Sequence, residues 1–199
     1  MPTRETHIAL ATRRRGAPVY VRPPKRSDTA QVLAAIRASR ALHGAWVQPP
    51  STAARLAAYL QRFAGPQSRH PAHASHVGLL LCRVEDDAPA GIFNLSEIVR
   101  GAFHSAYLGY YGLAPYAGQG YMGEGLALVM QVAFRKLLLH RVEANVQPGN
   151  VRSIALVQAA GFTREGYARR YLKLAGRWRD HERWALLSED WRARQRPPR

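Results

Sequence analysis

The sequence predicts an α/β (α+β) protein, a central mixed, twisted sheet flanked by helices. Three observations carry that expectation. Strand-like and helix-like runs are interleaved along the chain, not segregated into blocks. A glycine-rich segment, "YAGQGYMGEGL" (116–126), separates one strand-like run from a long amphipathic stripe. The chain then closes on two strand-like runs meeting near Gly176, the pattern of a hairpin. Its 199 residues, 47% of them hydrophobic, suit one globular domain with short tails.

Taken in order, residues 1–16 read as a flexible basic arm carrying "TRRRG", 17–191 as a single domain, and 192–199 as a basic tail. "PVYVRPP" (18–24) alternates as a first strand. Asp28 is placed to cap a helix over 29–42, broken by Pro49 and Pro50. Ser51 opens a second helix running to about Phe63. A polar loop, "GPQSRHPAHASH", follows, then two strands, "HVGLLLCRV" and "AGIFNLSEIV", around the turn "EDDAPA". "SAYLGYYGL" (105–113) is a further strand. From Tyr121 to Leu139 the positions Leu126, Val129, Met130, Ala133, Phe134, Leu137 and Leu138 form one helical face. "RVEANV" is a strand, 150–160 a helix stopped by Gly161, and the remainder the closing hairpin.

Composition narrows the function classes. The net charge is +16, from 29 Lys and Arg against 13 Asp and Glu. Such a surplus permits contact with nucleic acid or the ribosome as a secondary property; it also fits compositional bias toward arginine, or steering of an anionic cofactor. The single cysteine, Cys82, excludes an internal disulfide, and its apolar run "VGLLLC" makes it a buried hydrophobe, not a nucleophile. No apolar run reaches the length of a membrane span and no signal-peptide core follows the basic N-terminus, so a soluble cytoplasmic protein is expected. His70, His73 and His76 lack a zinc spacing, include an intervening proline and have no cysteine nearby; they read as a polar loop, with no metal.

Gly118, Gly120 and Gly123 spell G-x-G-x-x-G at a helix start. A helix N-terminus presents free amides and a positive dipole end, and glycine lets phosphate oxygens approach closely. A Rossmann site would place its acidic residue near Glu143, twenty positions beyond Gly123. Against it, more than 100 residues precede the loop, "APYA" separates strand from glycines, and too few residues follow Glu143 to complete that fold. A pyrophosphate of another cofactor and a glycine-rich helix start without ligand remain open on this pattern alone.

The combination "GYYGLAPYAGQGYMGEGL" and "RVEANVQPGNVRSIALVQAAGFTREGYARRYL" resembles the GNAT family of acetyl-CoA-dependent N-acetyltransferases, and within it the RimJ/RimL-type ribosomal-protein alanine N-acetyltransferases, over residues 18–190. The resemblance implies the GNAT acyl-CoA N-acyltransferase fold and acetyl-CoA as cofactor. The family's Q/R-x-x-G-x-G/A loop falls on Ala117, Gly118, Gln119, Gly120, Tyr121 and Met122, with Gly123 beyond it. Ala117 departs from the usual Gln or Arg, and Met122 from the usual small residue. The resemblance further implies that pantetheine pairs with the strand end at Tyr111, Gly112 and Leu113, whose backbone is then the oxyanion candidate. Asn150 and Ser153 match the family's N-x-x-S at the next helix start: Asn150 as cofactor contact, as helix cap, or both, and Ser153 as cofactor contact and partner of the leaving thiol.

Acetyl transfer to an amine requires a neutral nucleophile, a held thioester, an N–H donor for the developing oxyanion and a proton for the thiolate. Glu143 is the candidate base through water, or else a paired surface carboxylate. Some relatives carry an acid before the hairpin tyrosine; here Arg170 precedes Tyr171, which either lines the acceptor site in a catalytic or binding role or packs. Asn94 and Glu97 in "FNLSE" are candidates for the acceptor side, and Asp180 with His181 for a structural pair. The expected function is acetylation of a protein N-terminal α-amine, with a ribosomal protein as possible acceptor. A small-molecule amine acetyltransferase, acting on a polyamine or drug, and a non-catalytic CoA-binding or ribosome-associated module are the alternatives.

Overall fold

In the computed structural model, residues 10–11, 18–64 and 75–195 are described. The expected mixed sheet is formed by β1 (Leu10–Ala11), β2 (Val19–Arg22), β3 (Val77–Arg83), β4 (Pro89–Val99), β5 (Ser105–Gly112), β6 (Arg141–Val146), β7 (Thr163–Leu174) and β8 (Arg177–Leu187). Their spatial order is β1-β2-β3-β4-β5-β6-β8-β7. The helices are α1 (Thr29–Ala38), α2 (Arg40–His43), α3 (Ala53–Ala64), α4 (Tyr121–Gln131), α5 (Val151–Ala160) and α6 (Ser188–Arg194).

Each face of the sheet has its own core. On one, α4 packs Leu126, Val129 and Met130 among Val21, Leu81, Phe93, Leu108 and Val142. On the other, Val32, Leu33 and Ile36 of α1 and Leu56 and Leu60 of α3 meet Leu80, Cys82, Ile92, Tyr111 and Leu113. Strand β3 is covered by both layers, which is why "VGLLLC" reads as a continuous apolar run without alternation. Cys82 is fully buried there, and burial pushes its thiol up to about 12. Gly125 sets the approach of α4: a Cβ there would sit 2.8 Å from Leu81 and Phe93.

Among the described strands only β5 and β6 pair in parallel, and only through Ser105↔Arg141, Ala106↔Val142 and Tyr107↔Glu143. A parallel pair needs a crossover, and α4 supplies it. Beyond Tyr107 and Glu143 the two strands run on without pairing to each other, so a wedge opens between them.

Several boundaries differ from the sequence reading. The first helix breaks at Ser39, whose hydroxyl donates to the Ala35 carbonyl (2.6 Å) before the chain resumes as α2. Asp28 occupies the N-cap position without capping; its carboxylate is drawn to Arg22 (2.7 and 2.8 Å) and the Lys25 amide. The second helix starts at Ala53 and not at Ser51; the Thr52 hydroxyl accepts from the Arg55 amide. After α4, residues Val132–Lys136 form a π-helical turn. The extra residue in that turn shifts the register. Leu138, expected on the apolar face, is 68% exposed with φ 54°, and Leu139 is buried in its place. At the C-terminus, 192–194 belong to α6 and not to a tail, because Trp191 is buried against Phe134. In the expected arm, Leu10–Ala11 pair with Tyr20–Val21; the rest of that arm, 196–199, His70 and His73 lie outside the described residues. Among the described residues no helix is long and apolar enough to cross a membrane.

Candidate active site

The wedge is built by tethering the end of β5 away from β6. The Gly112 carbonyl accepts from His43 Nε2 (2.9 Å), and the Ala114 amide donates to Ser39 Oγ (2.8 Å). From the other side, Gln147 Nε2 donates to the Ala45 and Trp46 carbonyls, and Trp46 packs on Gly149. The 39–46 segment thereby ties down both edges of the opening.

Backbone direction separates the three strand-end residues. The Leu113 amide is spent on the Ala90 carbonyl (2.9 Å). Alternation along the β4–β5 register turns the Tyr111 amide the same way, and leaves the Tyr110 and Gly112 amides facing the wedge. Of the expected oxyanion donors, Gly112 has the required orientation; Tyr111 and Leu113 serve the sheet.

The glycine loop opens α4 as expected. Gly118 and Gly120 hold φ of 81° and 85°, a left-handed geometry that favours glycine. A Cβ at Gly118, Gly120 or Gly123 would meet nothing within 4 Å, so open space lies beside the loop. The Gly123 amide is already committed to the Gly120 carbonyl (3.0 Å), which removes it as a ligand donor. The Gln119 side chain folds back on the Pro115 carbonyl (3.1 Å). Tyr121 is buried edge-on to Tyr116, so only its amide is available. Met122 points into the sheet: a Cβ on Gly91 would collide with its sulfur, and one on Gly112 would touch its Cγ. The departure from a small residue is thus accommodated by Gly91, and the Met122 amide stays at the helix start.

Asn150 caps α5, its Oδ1 accepting from the Ser153 amide (3.2 Å). One turn on, the Ser153 hydroxyl lies 2.5 Å from that of Tyr110, so the pair bridges β5 and the first turn of α5. Burial pushes the Tyr110 phenol up to about 12. It therefore stays protonated at neutral pH.

On the opposite face a cavity of about 700 Å³ is lined by Val47, Gln48, Pro49, Pro50, Ser51, Arg55, Tyr59, Asn94, Gly109, Tyr110 and Tyr111. Among the described residues no carboxylate borders it. Asn94 donates to the Tyr59 hydroxyl, and burial pushes the Tyr59 phenol up to about 12. The Tyr111 hydroxyl is hydrogen-bonded to that of Tyr59, and the Asn94 Oδ1 is buried without a hydrogen-bond partner among the described residues. Such a group is costly unless something polar completes it.

The remaining candidates fall elsewhere. Glu97 is not in this cavity; it sits at the irregularity between Ser96 and Val99, with φ 49°, beside Arg62 (3.5 Å) and His76 (3.3 Å). Glu143 is held by Arg141 through one oxygen (2.9 Å) and by Arg183 through the other (3.1 Å). Its lone pairs serve these ion pairs, which favours the paired carboxylate over the base. Tyr171 stacks at a tilt on His181 (5.9 Å), and its phenol is raised, by burial first and by Tyr107 second. The Asp180 carboxylate accepts from the Arg170 amide and the Tyr167 hydroxyl (2.7 Å each).

His43, Tyr59 and Tyr110 were not singled out in the sequence. They come from three distant segments, and no local spacing marks them as neighbours.

The acetyltransferase (GNAT) domain model matches residues 19–163. The probable N-acetyltransferase YjcK of Bacillus subtilis (strain 168) is 40% identical over 115 residues, 58% of this chain and 62% of that protein. The ribosomal protein uS5-alanine N-acetyltransferase of Escherichia coli (strain K12) is 44% identical over 101 residues, 51% of this chain and 52% of that protein. The chain therefore spans less than two thirds of the length of either curated relative. Mycobacterium smegmatis RimJ, solved in complex with CoA-disulfide, superposes with a TM-score of 0.81 at 25% identity, covering 92% of this chain and 88% of that one.

Proposed function

The chain belongs to the GNAT family of acetyltransferases, and on that premise we propose that it transfers acetyl from acetyl-CoA to the N-terminal α-amine of a protein. The observation that carries this reading is the junction at Tyr110 and Tyr111. There the β5–β6 wedge meets a wide cavity that no carboxylate borders among the described residues.

The residues suit coenzyme A. The amides of Gly118, Gln119, Gly120, Tyr121 and Met122 at the start of α4 would take the pyrophosphate, with open space beside the three glycines. The wedge-facing backbone of Tyr110 and Gly112, with Asn150, would hold the pantetheine. When bound, acetyl-CoA supplies an acetyl group activated as a thioester. The Gly112 amide is the donor for negative charge on the carbonyl oxygen. The Ser153 hydroxyl, supported by the protonated Tyr110 hydroxyl, is the proton source for the departing sulfur.

No side chain of the cavity is a free carboxylate base, so the amine has to arrive neutral and lose its proton to water. An α-amine, with a pKa of about 7.7–8.0, has a substantial neutral fraction near pH 7.5; a lysine amine, near 10.4, has almost none. A polyamine would gain from carboxylates that the cavity does not offer. The Asn94 Oδ1, an unpartnered acceptor among the described residues, suits an N–H of a peptide end instead.

The test is a pair of peptides of one sequence. One has a free N-terminus and no lysine; the other has a blocked N-terminus and one lysine. Acetylation of the first is expected. Preference for the second, or for spermidine over both, overturns the reading.

A further inference from the structure

Strand β6 ends at Val146, opposite Glu182 of β8. The hairpin continues beyond it through Ala168↔His181, Leu172↔Arg179, Lys173↔Trp178 and Leu174↔Arg177. Among the described residues, this end of β7 and β8 is therefore a two-stranded ribbon with no third strand beside it. Its turn is held by Gln48, whose Oε1 accepts from the Ala175 amide (3.0 Å).

The ribbon has an unusual composition. From 168 to 179 the sequence "ARRYLKLAGRWR" holds Arg169, Arg170, Lys173, Arg177 and Arg179, and no Asp or Glu. The carboxylates elsewhere in the hairpin are occupied: Glu165 by Arg141, Glu182 by Arg164, and Asp180 by Tyr167 and the Arg170 amide. Among the described residues none of the five cations is in ion-pair contact. Arg169, Arg170, Lys173 and Arg177 are exposed. Between them Trp178 is 59% exposed, directly across from Lys173.

We propose that this ribbon is a docking arm for single-stranded nucleic acid. The cations match a phosphate backbone, and the tryptophan offers a face on which an unpaired base can stack. Positive charge alone would serve to guard an edge strand against pairing with another chain. That duty does not call for an exposed tryptophan among the cations. The inference is independent of the acceptor reading, and binding is measured without acetyl-CoA or peptide.

The experiment is fluorescence anisotropy of the full chain with a labelled mixed-sequence 20-nucleotide RNA and the matching DNA, across 50–200 mM salt. Saturable binding is expected, weakening steeply with salt at about 0.7 logarithmic units per phosphate contact. The R169A/K173A/R177A variant should make that slope shallower by about 2. W178A should weaken binding roughly five- to 150-fold while leaving the slope unchanged. Tighter binding of either strand supports the proposal and identifies its source. No binding by the wild type overturns it, as does a triple variant with an unchanged slope. So does equal binding to polyglutamate or anionic lipid vesicles. Acetylation of a free peptide, measured in parallel, should be unchanged in both variants, which separates failure of this proposal from failure of the catalytic one.

Discussion

The hydroxyls of Tyr110 and Ser153 lie 2.5 Å apart and join β5, on one side of the wedge, to the helix that follows the other side. Both hydroxyls are protonated at neutral pH, and in the proposed reaction the serine gives its proton to the departing sulfur. Ser153→Ala should lower kcat about 100-fold with little change in KM for acetyl-CoA. Tyr110→Phe, which leaves the serine but removes its support, should lower kcat roughly tenfold. Steady-state kinetics on both variants checks this, and an unchanged kcat in Ser153→Ala would reduce the serine to a capping-turn residue.

Gly120 and Gly123 should respond oppositely to alanine. Gly120 holds φ of 85°, so Gly120→Ala strains the loop by about 1–2 kcal/mol and should weaken CoA binding. Gly123 has ordinary helical geometry and room for a Cβ, so Gly123→Ala should stabilise α4 by about 0.5–1 kcal/mol. Calorimetry with coenzyme A and thermal melts would show the contrast. Equal loss of affinity in both would mean that the Gly123 position also faces the ligand.

Glu143 should prove structural. Removing its charge breaks two ion pairs on a side chain that is only 13% exposed. Glu143→Gln should therefore cost on the order of 1–3 kcal/mol in stability. On the proposed mechanism, in which water takes the proton from the amine, the shape of the pH–rate profile should be preserved. Loss of a component of the acid-side limb of that profile in the variant would restore Glu143 as the base.

His181 should make the fold acid-sensitive. Burial lowers its pKa, against an opposing contribution from its bond to the Arg179 carbonyl. The unfolded chain takes up this proton near 6.5, the folded chain only at lower pH. Stability from the neutral ring is therefore complete above 6.5 and lost as pH falls through the folded value. The Tm should drop between pH 7.5 and 5.5, and His181→Asn should flatten that drop. An equally steep drop in the variant would assign the acid sensitivity to other groups.

Much of the fold was legible because it is written locally. Strand periodicity, the continuous apolar run of β3, the glycine-opened α4 and the Gly161 and Gly176 stops each depend on neighbouring residues. The errors arose where a distant partner intervened. Asp28 looks like a cap in sequence, but Arg22 claims its carboxylate. Leu138 fits the helical stripe until a π turn, set by packing, rotates it outward.

The sequence by itself determined the family, the order of elements and the position of the glycine loop that opens α4, since each rests on contiguous residues with their own backbone preferences. Only the tertiary structure decided which groups of the site can act. Whether an amide faces the wedge or the sheet depends on strand register. Whether a carboxylate is a base or a strut depends on which arginines fold against it. Register and long-range ion pairing bring Gly112 to His43, Tyr110 to Ser153 and Glu143 to Arg183 across separations that no local pattern encodes.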